Sequence, residues 1–297
     1  ENRTITSYLK KKAFIRNNQK SYELYLQDLG VFEKNYDHAI DLLVIGSDEV
    51  FNCMQGHPVG YSKNLFGESY EDVKTISYAG SFGHTTVNDL KKYMIFDEIK
   101  AMFNKFAFIS VRDNNSKNVL NEMGFEVCKH LDPVLVYDFC KDAKNPSIDI
   151  KDYIIVYAYT GRLSTAERKR IKTFAKKYEK KIVSIGYYSD IADYNIVCNP
   201  LEVFGYFKNA DYIITDTFHG TIFSIKMNSK FCTIIRDSNK NKLNDLLRTL
   251  ERQDRIAYGI EDIERLYNIE VDFDQTNKII QEGKQQTIAY LELAINS

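Results

Sequence analysis

From residue 153 onward, short apolar runs alternate with stretches whose apolar residues recur at helical spacing. Runs at 153–159, 182–185, 212–214 and 231–235, rich in β-branched and aromatic residues, predict buried strands. Between them, residues 164–178 begin with Ser164 and Thr165, offer Glu167 for a capping box, and align Ile171, Phe174, Ala175 and Tyr178 on one helical face. Residues 200–209 do the same with Leu201, Val203, Phe204 and Phe207. Strands joined by helices of this length predict a parallel sheet covered on both faces by right-handed crossovers. The first half is less regular, with strands expected at 42–45, 74–78 and 107–111 and a helix after Arg112-Asp113-Asn114 that closes at Gly124. Further helices are expected at 243–250 and 275–295. The polar segment 141–152, carrying Pro146, reads as a linker, which predicts two α/β domains, 1–145 and 146–297, facing a cleft.

Composition narrows the classes of partner. The chain of 297 residues has 40 Lys plus Arg against 41 Asp plus Glu, a formal net charge of -1, so no overall positive field draws in nucleic acid. No apolar run reaches the roughly 20 residues of a membrane helix. Peripheral membrane association stays open, and a cytoplasmic location is expected. The five cysteines are odd in number, widely spaced and without a C-x-x-C pair, so neither zinc nor a redox centre is indicated, and Cys232 in particular reads as a buried free thiol. No cofactor or metal is expected.

The candidate chemistry centres on the junction after residues 212–214. Thr215, Asp216 and Thr217 are helix-capping residue types, and Phe218, His219 and Gly220 open the helix that follows. A helix start leaves N–H groups unpaired and carries partial positive charge, which suits a phosphate or carboxylate. Gly220 is expected to let a ligand approach the backbone, and His219 adds a group that donates, accepts or carries a proton near neutral pH. Asp216 is read first as a cap and otherwise as the group that fixes the tautomer of His219. Arg112 follows a strand and offers a fork for an anion, or else a surface ion pair near Asp113. The polar loop from Arg236 to Lys242 follows another strand of the same sheet and is positioned to bring either of those cations to an anion. Asp48 is a candidate hydrogen-bond acceptor, with turn chemistry after Gly46 as its competing role, and His84 is a cleft candidate. His38, His57 and His130 read as structural, as do most of the 21 tyrosines and 18 phenylalanines.

Taken together, these motifs resemble the polysaccharide pyruvyl transferase family. The matching pieces are Asp41-Leu-Leu-Val-Ile-Gly-Ser-Asp48 with Phe51-Asn52, Ile76-Ser-Tyr-Ala-Gly-Ser-Phe-Gly83, Ile109-Ser-Val-Arg-Asp113 with Ser116, Leu131-Asp-Pro-Val-Leu135, the run from Ala210 to Ser224, and residues 240–255. They run in the family's order from about Asp41 to the end. The resemblance implies two Rossmann-like domains with parallel sheets, similar to the B-type glycosyltransferases. It also implies transfer of the enolpyruvyl unit of phosphoenolpyruvate to the hydroxyls of a glycan or lipid-linked sugar acceptor, giving a pyruvate ketal. By the same likeness, His219 and Asp216 are catalytic. Arg112, Thr217, Phe218, Gly220, Arg236 and Lys242 contact the donor, and Asp48, Asn52 and His84 the acceptor. The chain departs from the family at Thr217, where an arginine is frequent, and before Asp41, where no first strand unit is legible. Two other readings stay open: a B-type glycosyltransferase using a nucleotide-sugar, and a catalytically lapsed binding protein of glycan assembly.

Overall fold

The computed structural model describes residues 5–31, 40–56, 60–70, 72–139, 144 and 146–297, with side chains from Tyr8 onward. His38, His57, Cys140 and most of the first part of the expected linker lie outside the described residues. In chain order the elements are α1 (Ile5–Asp28), β1 (Leu42–Ile45), β2 (Lys74–Ser77), α2 (Val87–Lys92), α3 (Phe96–Phe103), β3 (Phe106–Phe108), β4 (Ser110–Val111), α4 (Asn114–Glu122), β5 (Cys128–Lys129) and α5 (Pro133–Val136). They continue with β6 (Tyr153–Tyr157), α6 (Thr165–Lys177), β7 (Lys181–Ile185), β8 (Tyr194–Ile196), α7 (Pro200–Asn209), β9 (Tyr212–Thr215), α8 (Phe218–Lys226), β10 (Phe231–Ile234), α9 (Lys240–Thr249), β11 (Ile256–Ala257), α10 (Asp262–Tyr267) and α11 (Asp274–Asn296). Among the described residues no helix is long and apolar enough to cross a membrane.

The chain divides into two compact units, but not at 145/146. One unit holds residues 1–36, 138–239 and 253–273, and the other holds 37–137, 240–252 and 274–297. The boundary read from sequence is therefore corrected in two ways. The break falls nearer Tyr137, and helices at both ends of the chain belong to the unit remote in sequence. Side-chain docking decides this. In α1, Phe14 packs its ring 5.8 Å from Tyr188 and Asn18 donates to the Gly186 carbonyl, while in α11 Tyr290 donates to the Ser77 carbonyl at 2.6 Å. A linear cut along the sequence cannot register such returns.

The unit built around 138–239 carries one six-stranded sheet in the order β11-β10-β9-β6-β7-β8, with every pairing parallel. Counted from its own first strand this is the 3-2-1-4-5-6 order of a doubly wound Rossmann sheet, whose direction of winding reverses between β6 and β9. Helices cover both faces, so β9 and β10 are buried at all four positions and read as continuous apolar runs. Local signals agree with the packing. Ser164 and Glu167 form the expected capping box, and α7 starts with Pro200 at its first turn behind an Asn199 cap.

The other unit has a parallel three-stranded sheet, β1-β2-β3, and a parallel pair, β4-β5. The strand expected over 107–111 is thus two short strands with different partners, separated at Ile109. Its core is dominated by aromatic rings. Phe51 lies 5.2 Å from Phe66, 5.6 Å from Phe82 and 4.9 Å from Phe103, so these phenylalanines are structural, as expected. His130 is structural as well: it is buried, its Nδ1 lies 2.7 Å from Ser110 Oγ, and burial lowers its pKa.

Candidate functional site

At the reversal between β6 and β9, the carboxyl ends of the strands deliver Arg162, Asp216, Thr217 and His219 to one edge of the sheet. β10 adds Arg236 to the same edge. Thr217 is the N-cap of α8: its extended backbone and its Oγ1, which accepts from the Gly220 N–H at 2.9 Å, start the helix. Thr215 Oγ1 supports it by accepting the Thr217 N–H at 3.1 Å while donating to the Tyr157 carbonyl at 2.8 Å. Two expectations change here. Asp216 does not cap the helix, because its neighbour does. Nor does Gly220 open the backbone to a ligand, since a Cβ there would meet Thr215 Oγ1 at 2.2 Å and Tyr157 Cδ1 at 2.8 Å. The glycine lets α8 seat against β9 and β6. Phe218 is buried beside it, and the partly exposed His219 ring lies 5.6 Å from the Phe218 ring and 6.0 Å from that of Phe223.

Asp216 is instead the hub of a charge cluster. Its side chain is 0% exposed, with Oδ2 accepting from Arg236 Nε at 3.2 Å and lying 3.7 Å from Arg162 Nε. Arg236 Nη1 donates to Glu167 Oε1 at 2.7 Å. The loop after β10 is folded onto this edge by Asn239, which donates to the Asp216 carbonyl at 2.7 Å and accepts the Arg236 N–H at 2.9 Å. Burial pushes the Asp216 carboxyl above its ordinary range, and Arg162 and Arg236 only partly offset that. Glu167 is also penalised by burial, but hydrogen bonds from Arg236 and Ser164 outweigh it and hold the carboxyl below its ordinary range. Burial acts against the Arg236 charge, yet Glu167 and Asp216 together raise its pKa. Two buried atoms in this cluster, Asp216 Oδ1 and Arg236 Nη2, have no hydrogen-bond partner among the described residues. Buried polar atoms are rarely left so.

The remaining sequence candidates belong to the other unit, where they form two groups. Arg112 is buried and splits its fork, Nη1 donating to Asp132 and Nη2 to Asp48, each at 2.8 Å. Asp113, beside which its alternative surface pairing was expected, caps α4 by accepting from the Ser116 N–H. The second group is a relay. Lys242 Nζ donates to Glu49 Oε1 at 2.7 Å, and Asn52 Nδ2 donates to Glu49 Oε2 at 2.7 Å and lies 3.3 Å from His84 Nδ1. Asn52 is 3% exposed, and its Oδ1 also accepts from Thr85 Oγ1 and the Met54 N–H, so its amide is committed within the protein. His84, by contrast, is exposed. Lys242 thus pairs with Glu49 within its own unit.

Sequence reading passed over Arg162 and the second role of Glu167. Arg162 does carry a signal. It follows β6 through Thr160-Gly161, just as Asp216 follows β9, and the two strands flank the winding reversal. Its guanidinium stacks 5.2 Å over the Tyr159 ring and donates to Ser238 Oγ at 2.5 Å.

Solved structures similar to this chain share its fold. The UDP-GlcNAc 2-epimerase of Methanocaldococcus jannaschii aligns with a TM-score of 0.52 at 14% identity, over 93% of this chain and 82% of that one. A putative UDP-N-acetylglucosamine 2-epimerase from Listeria monocytogenes aligns with a TM-score of 0.51 at 9% identity, over 95% and 78%. The architecture is thus α/β with parallel sheets in two Rossmann-like units, of the glycosyltransferase B type. No curated protein matches the sequence. A sequence model described as Polysaccharide pyruvyl transferase matches residues 2–238. The match reaches further towards the start than the motifs from Asp41 onward indicated, and it excludes the 240–255 segment counted among them. Because it takes in most of the chain, including the whole carboxyl edge from Arg162 to Arg236, the chain belongs to the polysaccharide pyruvyl transferase family, a family of transferases.

Proposed function

We propose that the protein transfers the enolpyruvyl group of phosphoenolpyruvate to two hydroxyls of a glycan, forming a pyruvate ketal, and that the donor occupies the edge defined by His219, Arg236 and Arg162. The observation that carries this reading is the pair of unsatisfied buried atoms, Arg236 Nη2 and Asp216 Oδ1, at the winding reversal of the Rossmann sheet. Phosphoenolpyruvate joins a carboxylate and a phosphate on one small skeleton, and arginine forks beside a helix start suit both anions. Arg236 and Arg162 thereby supply the cationic contact that Thr217 does not. The charge count is tight, since the two arginines face Asp216 and Glu167, so binding a multiply charged donor favours uptake of protons at Asp216 and His219. The elevated pKa of Asp216 fits this requirement.

In the proposed reaction His219 gives a proton to the methylene carbon of the donor, leaving an oxocarbenium-like carbon. One acceptor hydroxyl attacks that carbon, its C–O bond to phosphate breaks, and the second hydroxyl closes the ring. Of the two hydroxyl protons, one restores His219 and the other leaves with inorganic phosphate. His84, oriented by Asn52, and Asp48 are proposed to contact the acceptor. The reaction is proposed to run in the cytoplasm, on a free or lipid-linked glycan. A donor-consumption assay tests the assignment: His219→Ala should lower turnover by about two to four orders of magnitude. Near-native phosphate release by that variant would remove His219 from the mechanism.

A further inference from the structure

Between α4 and α9, within a single unit, runs a cavity of about 340 Å³ whose lining includes five asparagines: Asn114, Asn115, Asn118, Asn241 and Asn244. From this we infer that it is a glycan-binding groove for the acceptor, distinct from the edge that carries His219; the inference rests on the transferase reading above. The walls are fixed first. Asn114 Nδ2 donates to Asp245 Oδ1 at 2.5 Å, Lys129 Nζ reaches Asp245 Oδ2 at 2.9 Å, and Asn115 Nδ2 donates to the Gly83 and Thr85 carbonyls at 3.0 Å each.

Those bonds also settle what the groove offers a ligand. Of its charged lining, Lys242 is paired with Glu49, Asp245 with Lys129, and Asp113 is used by Ser81 and Ser116. Asn118 and Asn241 are exposed and Asn244 half-buried, and no hydrogen bond ties their side chains to another described residue. A carboxamide donates and accepts at once, which is what a sugar hydroxyl needs from its partner. Neutral, bifunctional groups along a fixed groove of this volume match a polyhydroxylated ligand, whereas a nucleic acid would require several unpaired cations. Arg248, the lining guanidinium at the same groove, gives it room for one anionic substituent on the sugar.

The asparagine side chains themselves report the binding. In protein labelled with nitrogen-15 at asparagine, a titration with methyl glycosides of a hexose, an N-acetylhexosamine and a uronic acid should shift the side-chain amide signals of Asn118, Asn241 and Asn244. Asn118→Ala combined with Asn244→Ala should abolish the shift of the remaining Asn241 signal while leaving the melting temperature near that of the unaltered protein. Failure of all three glycosides to move these signals would overturn the inference, as would an unchanged Asn241 response in the double variant. A parallel titration with phosphoenolpyruvate, read by melting temperature, reports on the transferase reading separately, so the two can fail independently.

Discussion

Replacing Arg236 by alanine should perturb both the stability of the carboxyl edge and its proposed capacity to hold an anion, and the structure sets the scale of the first. The substitution removes a 2.7 Å contact to Glu167 and a 3.2 Å contact to Asp216, whose side chain is fully buried. Breaking a buried ion pair by truncating one partner costs about 3–5 kcal/mol, and an exposed pair is worth about 0–1 kcal/mol. Arg236 is 23% exposed and Arg162 stays 3.7 Å from Asp216, so the expected loss lies between, at about 2 kcal/mol, or roughly 3 °C in melting temperature for a chain of this length. On the binding side, a hydrogen bond to a charged group contributes about 1.5–3 kcal/mol, which predicts affinity for phosphoenolpyruvate weakened roughly 10- to 150-fold. Calorimetric titration of the folded variant separates this from the stability loss. Arg236→Lys keeps the charge without the planar fork and should fall between the two. An Arg236→Ala protein that melts within about 1 °C of the original and binds the donor with unchanged affinity would refute the reasoning.

Gly220→Ala should destabilise the fold by about 1–3 kcal/mol through overpacking against Thr215 and Tyr157, visible as a lower denaturant midpoint; an unchanged midpoint would contradict the close seating of α8. Thr217→Ala removes the cap of α8 and should cost about 1–2 kcal/mol, with Thr217→Ser recovering most of it, whereas equal loss in both would show that the hydroxyl is not what matters. The Lys242–Glu49 pair predicts a pH signature. Burial pushes the Glu49 carboxyl up, but Lys242 and Asn52 draw it below its ordinary value of 4.5, so its stabilising contribution is present above that value and is lost as pH falls through the lowered one. Denaturation of Lys242→Ala across the acid range should therefore show its deficit against the unaltered protein above pH 4.5, shrinking below it; a deficit independent of pH would exclude the linkage.

Much of the Rossmann unit was legible because its strands are buried on both faces and announce themselves as unbroken apolar runs. β6, β7, β9 and β10 stand within two residues of where periodicity put them. Two edge strands, β8 and β11, escaped notice, being two or three residues long and too short to set up a pattern. Helix α1 escaped for a different reason. Of its described side chains only Phe14 is buried, so no continuous apolar stripe reveals its 24 residues. At the candidate site, the strand-to-helix corner around His219 was readable from Thr215, Asp216 and Thr217, but the division of labour among them was not. Which hydroxyl or carboxylate caps depends on one residue of register, and the partners that recruit Asp216, Arg162 and Arg236, lie 54 and 20 positions away. The committed amide of Asn52 is a similar case, since Glu49 is close in sequence but Thr85 and His84 reach it only in three dimensions.

A small multiply anionic donor is proposed to dock on the edge formed by His219, Arg236 and Arg162. The most direct test is a calorimetric titration of the full chain with phosphoenolpyruvate and, separately, with a uridine diphosphate sugar, each repeated on Arg236→Ala. Saturable heat with phosphoenolpyruvate that is lost or strongly reduced in the variant, together with none from the nucleotide-sugar, is the predicted result. Binding of the nucleotide-sugar alone, or phosphoenolpyruvate binding indifferent to Arg236, would contradict it.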